Sequence, residues 1–213
     1  MWSSITPFLH GFGAGAGLII AIGAQNAHVL RVGLLGRHVA LTVGTCIAID
    51  VIAIAAGVAG MGALIQGQPW LLAIARWGGA AFLAWYGLGA LRRALRPDGA
   101  LAAGPGAPGA GPTARQALAA VLAVSLLNPH MYLDTVVLLG ALGGQQPAGQ
   151  QLRFTLGATT ASTLWFLTLG LGARRLAPWF ARPVAWRCLD AGIAVVMFSI
   201  ALFLAFTPLH STP

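Results

Sequence analysis

Asp50 and Asp134 are the residues of this chain best placed to do chemistry. Each stands alone in a long apolar run, and with Asp98 and Asp190 they make up the whole acidic complement. A carboxylate in such surroundings costs about 2.5–3.5 kcal/mol on membrane-insertion scales, so two of them call for water, a cation or a proton close by. Asp134 lies four residues after His130, on the same helical face, and Tyr132 lies four after Asn128. Thr42, Cys46, Ala53 and Gly57 recur around Asp50 at helical spacing, a small-residue stripe along which another helix or a solute can approach. Two polar interruptions accompany the acids, Gly23-Ala24-Gln25-Asn26-Ala27 and Asn128-Pro129-His130. Pro129 removes a backbone donor and crowds the preceding turn, while Gln25, Asn26 and Asn128 carry amides that replace lost bonds or meet a ligand. A kink and helix-to-helix bonding account for either motif taken singly; the pairing of the two favours a substrate site.

Other polar residues read more plainly. Thr155, Thr159, Ser162 and Phe166 form a polar-to-aromatic stripe whose hydroxyls either bond back to their own helix or face a ligand. His28 reads as polar packing beside the first interruption, and His130 as a candidate proton relay. Asp190, three residues after Arg187, reads as an exposed or interfacial ion pair of small worth.

The elements that must position these groups follow from composition. The 213 residues are 58% apolar and 8% charged, with a mean hydropathy of +0.82, against about 25% charged residues in ordinary soluble domains. A soluble enzyme is excluded. Apolar runs of bilayer length cover Ile5 to Leu30, Val39 to Ile65, Trp70 to Leu91, Ala117 to Leu142, Leu152 to Leu176 and Val184 to Phe206. None alternates as a membrane strand does, so each is expected to be helical, its backbone bonds satisfied within the segment. The expected fold is an all-α integral membrane protein with six transmembrane helices, the first and fourth broken. Residues 1–96 and 115–213 read as two three-helix repeats joined by a Pro, Gly and Ala linker over 97–114. An odd number of spans per half makes the repeats inverted, the plan of many secondary transporters.

All twelve basic side chains are arginines, and ten fall around the first, third and fifth loops. Under the positive-inside rule those loops are cytoplasmic and both termini lie outside a plasma (inner) membrane. Spread between apolar runs, the arginines mark topology and lipid contact, not nucleic-acid binding. Cys46 and Cys188 lie within apolar segments and read as packing residues, not as a disulfide or metal pair. The amino end lacks the basic region of a cleavable signal, so the first apolar segment is expected to stay as a span.

The run Ile22-Gly23-Ala24-Gln25-Asn26-Ala27-His28-Val29-Leu30-Arg31-Val32-Gly33 resembles the first-span signature of the LysE-type L-lysine/L-arginine exporters. Asn128-Pro129-His130-Met131-Tyr132-Leu133-Asp134-Thr135 resembles their fourth-span signature, and Asp50 and the segment Trp77 to Leu83 fall where that family has similar residues. The resemblance covers nearly the whole chain. The loop Val32 to His38 departs from it in being less polar. The resemblance implies a secondary exporter of basic amino acids, working by alternating access on proton or membrane-potential energy, with no cofactor and no enzymatic step. It implies that Asp50 and Asp134 meet the cationic groups or a coupling proton. Gln25, Asn26, Asn128 and Tyr132 would hold the substrate, and Gly23 and Pro129 would permit the broken geometry. Two alternatives stay open: export of another amino acid, and export of a divalent metal by Asp50, Asp134 and His130, which their sparseness disfavours. Whether one chain or a homodimer is the working unit is also open.

Overall fold

A computed structural model of the chain describes residues 5–20, 23–61, 69–95, 111–128, 131–147, 149–176, 178–179 and 182–206. Eight helical segments follow one another: α1 (Thr6–Ile19), α2 (Ala24–Leu35), α3 (Val39–Ala56), α4 (Pro69–Leu95), α5 (Ala114–Leu126), α6 (Tyr132–Gly144), α7 (Gln151–Leu176) and α8 (Pro183–Phe206). The end of α3 runs on through Gly57–Met61, which is kinked at Gly60, and α6 is π-wound over Tyr132–Leu138 before becoming α-helical. Among the described residues there is no strand.

Among the described residues three helices, α3 with its extension to Gly60, α7 and α8, are long and apolar enough to cross a membrane alone, and α1 with α2 makes a fourth such unit, bent by 79°. The α5 and α6 helices are shorter apolar segments. The break between α1 and α2 falls just ahead of the first expected interruption: Gly23 precedes α2 and Ala24–Ala27 form its first turn. Of the second expected interruption, Asn128 lies past the end of α5. Pro129 and His130 lie outside the described residues, as do residues 97–110 of the expected linker.

Glycine sets the closest helix crossings. A Cβ added at Gly11 of α1 would collide with the Phe154 carbonyl of α7, and one at Gly157 of α7 with the Phe8 carbonyl of α1. A Cβ at Gly33 of α2 would come within 2.6 Å of the Gly170 carbonyl of α7, and one at Gly140 of α6 within 2.7 Å of Gly57. Lipid tails are as apolar as leucine, so helices in a bilayer gain little from hiding apolar surface and much from close van der Waals approach. The small-residue stripe of α3 is thus met by a helix at its Gly57 end. Ile52, Trp85, Val195 and Phe203 point outward and are exposed, as lipid-facing residues are. Leu83 and Ala90 of α4 pack on Ile193 and Met197 of α8, and the same cluster takes in Ala24 and Ala27 of α2. Among the described residues three glycines, Gly36, Gly60 and Gly149, stand at positive φ and are needed for their backbone. Gly36 ends α2 in the left-handed region at φ 70°, and Gly60 turns the chain at φ 103°.

Two expectations are corrected here. Arg31 lies within α2, not in the first loop. Asp190 is buried, 4% exposed, and is paired with Arg31 and Arg93, whereas Arg187 donates to the Ala94 carbonyl at 3.0 Å. Proximity in sequence gave the wrong partner, because packing of α2 and α4 against α8 delivers two guanidinium groups from far along the chain.

Candidate functional site

The first break is held together by its own polar residues. Where α1 stops, its last carbonyls lose their helical donors, and the Asn26 side-chain amide donates to one of them, Ile19 O, at 2.8 Å. Asn26 Oδ1 in turn accepts from Trp165 Nε1 of α7 at 3.1 Å. Gly23 precedes α2 in extended backbone, φ −121° and ψ −180°, which any residue adopts. A Cβ added there would meet nothing within 4 Å. As the residue before α2, Gly23 offers no capping side chain of its own, and the first turn of α2 begins at the break.

Asp50, at the middle of α3, is 2% exposed and its Oδ2 accepts from Ser162 Oγ of α7 at 2.7 Å. The Gln25 side chain lies against both Asp50 and Cys46. Its Nε2 is buried without a hydrogen-bond partner of ordinary geometry. Across from them, buried Asn128 lies two residues past the end of α5, and half-buried Asp134 rides on the π-wound turn of α6. Thr135 Oγ1 donates to the Met131 carbonyl at 2.7 Å and fixes that turn.

Six of the expected residues, Gly23, Gln25, Asn26, Asp50, Asn128 and Asp134, share the lining of one cavity of about 50 Å³, with Met131, Thr135 and Phe166 among the others that enclose it. Tyr132 is not in that lining; it is half-buried and packs with Ala53, Met131 and Val136. His28 points elsewhere too, its Nδ1 bonded to the Tyr86 hydroxyl at 3.2 Å. The hydroxyl stripe of α7 divides. Thr155 and Thr159 bond back to Gln151 and Thr155 carbonyls, while Ser162 reaches Asp50 and Phe166 reaches the cavity. Trp165 and Met131 are site residues that the sequence did not announce. A larger cavity of about 480 Å³ lies between α4 and α5, but its lining of Phe82, Trp85, Tyr86, Ala123 and two arginines holds no carboxylate. The chemistry sits in the smaller one. Among the described residues no group of three or more His, Cys, Asp or Glu side chains is arranged to hold a metal ion.

Two carboxylates and three amides around one buried space suit a solute that carries more than one polar group and at least one positive charge. Residues 16–207 match the family described as LysE type translocator. The chain is 43% identical over 202 residues to the arginine exporter protein ArgO of Yersinia enterocolitica, an alignment covering 94% of this chain and 97% of that protein. It is 41% identical over 202 residues to the arginine exporter protein ArgO of Serratia proteamaculans, covering 95% and 97%. No solved structure matches.

Proposed function

The chain belongs to the LysE type translocator family, and from that premise we propose that it exports a basic L-amino acid, arginine or lysine, across the inner membrane. The observation that carries this reading is the meeting of Asp50, Asp134, Gln25, Asn26 and Asn128 in a single cavity. A basic amino acid brings a side-chain cation and an ammonium to the two carboxylates, and its own carboxylate to the side-chain amides and the amino end of α2. Likeness to two proteins named arginine exporter supports arginine as the first substrate to try.

The cavity is well below the roughly 300 Å³ at which small-molecule pockets begin, so it widens to admit its solute. This supports alternating access. Counting α1–α2 and α5–α6 as one broken span each gives six spans in two halves, and several features support an inverted repeat. Asp50 and Ser162 are each the twelfth residue of their helix, and they bond to one another where the halves meet. The Gly33–Gly170 crossing of α2 on α7 has a counterpart in the Gly140–Gly57 crossing of α6 on α3. Asn-x-His occurs at both breaks, at Asn26 to His28 and Asn128 to His130. In this reading Pro129 opens the second break, His130 passes a proton and Tyr132 backs the cavity wall. The arginine asymmetry puts both termini outside, and a proton gradient or the membrane potential drives export.

The test is uptake of labelled arginine into inverted membrane vesicles carrying the protein, under an imposed proton gradient. Accumulation that excess unlabelled lysine or arginine abolishes is the expected result. No accumulation of either amino acid, with uptake of manganese in the same vesicles, overturns the reading.

A further inference from the structure

Away from the cavity one buried acid, Asp190, gathers two arginines, Arg31 with a side chain 16% exposed and Arg93 with one 38% exposed. Oδ1 of Asp190 in α8 accepts from Arg31 Nη1 of α2 and, at 3.2 Å, from Arg93 Nε of α4. The Asp190 side chain is 6% exposed and that of Arg31 16%, and the Arg31 guanidinium also lies over the Trp186 ring, 5.9 Å from its centroid. Helices from both halves are tied together at one carboxylate oxygen. As a fixed strut such a tie is a poor investment, because desolvating the ions cancels much of their attraction, and a switching role is the best-attested use of buried ion pairs.

The geometry of α2 supplies that role. It is one helix of twelve residues whose first turn presents Gln25 and Asn26 to the cavity. Arg31 stands five residues beyond Asn26, about 7.5 Å along the same rod. Whatever displaces the cavity end of α2 therefore displaces Arg31, and the cavity must widen to take its solute. Two guanidinium groups on one acid let the tie part cleanly: when Arg31 leaves with α2, Asp190 keeps Arg93 and is not stranded as a lone buried ion.

We propose that Arg31, Asp190 and Arg93 form a latch that holds α2, and through it Gln25 and Asn26, in the closed arrangement, and that releases Arg31 each time the cavity opens. Asp190 is then a positioning residue for transport, acting through α2 without touching substrate. The inference rests on the alternating-access reading given above.

The test uses the full chain in vesicles, with Cys46→Ala and Cys188→Ala as the parent. Arg31→Cys and Asp190→Cys are added and joined by a short bis-methanethiosulfonate crosslinker. Labelled-arginine transport is expected to fall to background on crosslinking and to return on reduction. Transport by the crosslinked protein at its uncrosslinked rate overturns the latch. A second measurement leaves the three charges in place: spin labels at Arg37→Cys, just beyond α2, and at the native, exposed Cys188, with Cys46→Ala. Two distances whose proportions shift with arginine are expected. If the parent transports neither arginine nor lysine, the functional reading fails by itself. The latch is then judged by the same labels under an imposed proton gradient, where two interchanging distances sustain it and a single unchanging one overturns it.

Discussion

Replacing Gly57 by alanine puts one methyl group where α3 and α6 touch. The added Cβ would stand 2.5 Å from the Val136 carbonyl oxygen, 2.8 Å from Val136 Cα and 3.0 Å from the Thr135 carbonyl oxygen. Ordinary contact begins at 3.4 Å, so the backbone of α6 must retreat by about 0.9 Å. These are main-chain atoms of a packed helix and cannot swing aside. Overpacking of this kind costs about 1–3 kcal/mol, which lowers the melting temperature of a chain this long by about 2–4 °C for each kcal/mol. The retreat also carries Asp134 and Thr135 away from Asp50, across the cavity. Gly44→Ala is the matched control on the same helix, since nothing lies within 4 Å of its added Cβ and alanine is the better helix former by about 1 kcal/mol. Melting of purified protein in detergent and arginine transport in vesicles are measured for both variants. Gly57→Ala is expected to lose stability and transport, and Gly44→Ala to keep both. Equal melting temperatures and equal transport for the two would refute the crossing as the element that sets the cavity wall.

Three further outcomes follow from the site. Ser162→Ala removes the donor to Asp50 Oδ2; a hydrogen bond to a charged group is worth about 1.5–3 kcal/mol, so transport should fall at least about tenfold while insertion is unchanged. Trp165→Phe keeps a ring in α7 but removes the indole donor to Asn26 Oδ1; at about 1 kcal/mol the half-saturating arginine concentration should rise severalfold, read from initial rates. Cysteines introduced at positions 105 and 147 should react with a membrane-impermeant reagent from opposite sides of the bilayer.

Sequence reading went furthest where a residue is conspicuous against its own neighbours. Gln25, Asn26 and Asn128 interrupt apolar runs, and Asp50 and Asp134 are the single acids of theirs; all five line the cavity. Partnerships between distant helices were harder to read. Nothing in the spacing of α7 tells that Ser162 meets an acid 112 residues away while Thr159 bonds to its own helix. Asp190 was misjudged for the same reason, since periodicity reveals Arg187 and is silent on Arg31 and Arg93. The kink at Gly60 and the π-wound turn of α6 left no mark either, although the second carries Asp134. The crossing of α3 and α6 at Gly57 and Gly140, beside both, is a property of the packed pair. Gly23 shows a subtler case: glycine at a break suggests unusual backbone, yet its dihedral angles are ordinary and a Cβ there would meet nothing within 4 Å.

The central claim is that a positively charged solute passes between Asp50 and Asp134. It is tested most directly by labelled-arginine uptake into inverted vesicles bearing Asp50→Asn, Asp134→Asn or the unaltered chain at matched amounts of inserted protein. The account predicts uptake at the level of empty vesicles for both variants and accumulation for the unaltered chain; accumulation at the unaltered rate by either variant would contradict it.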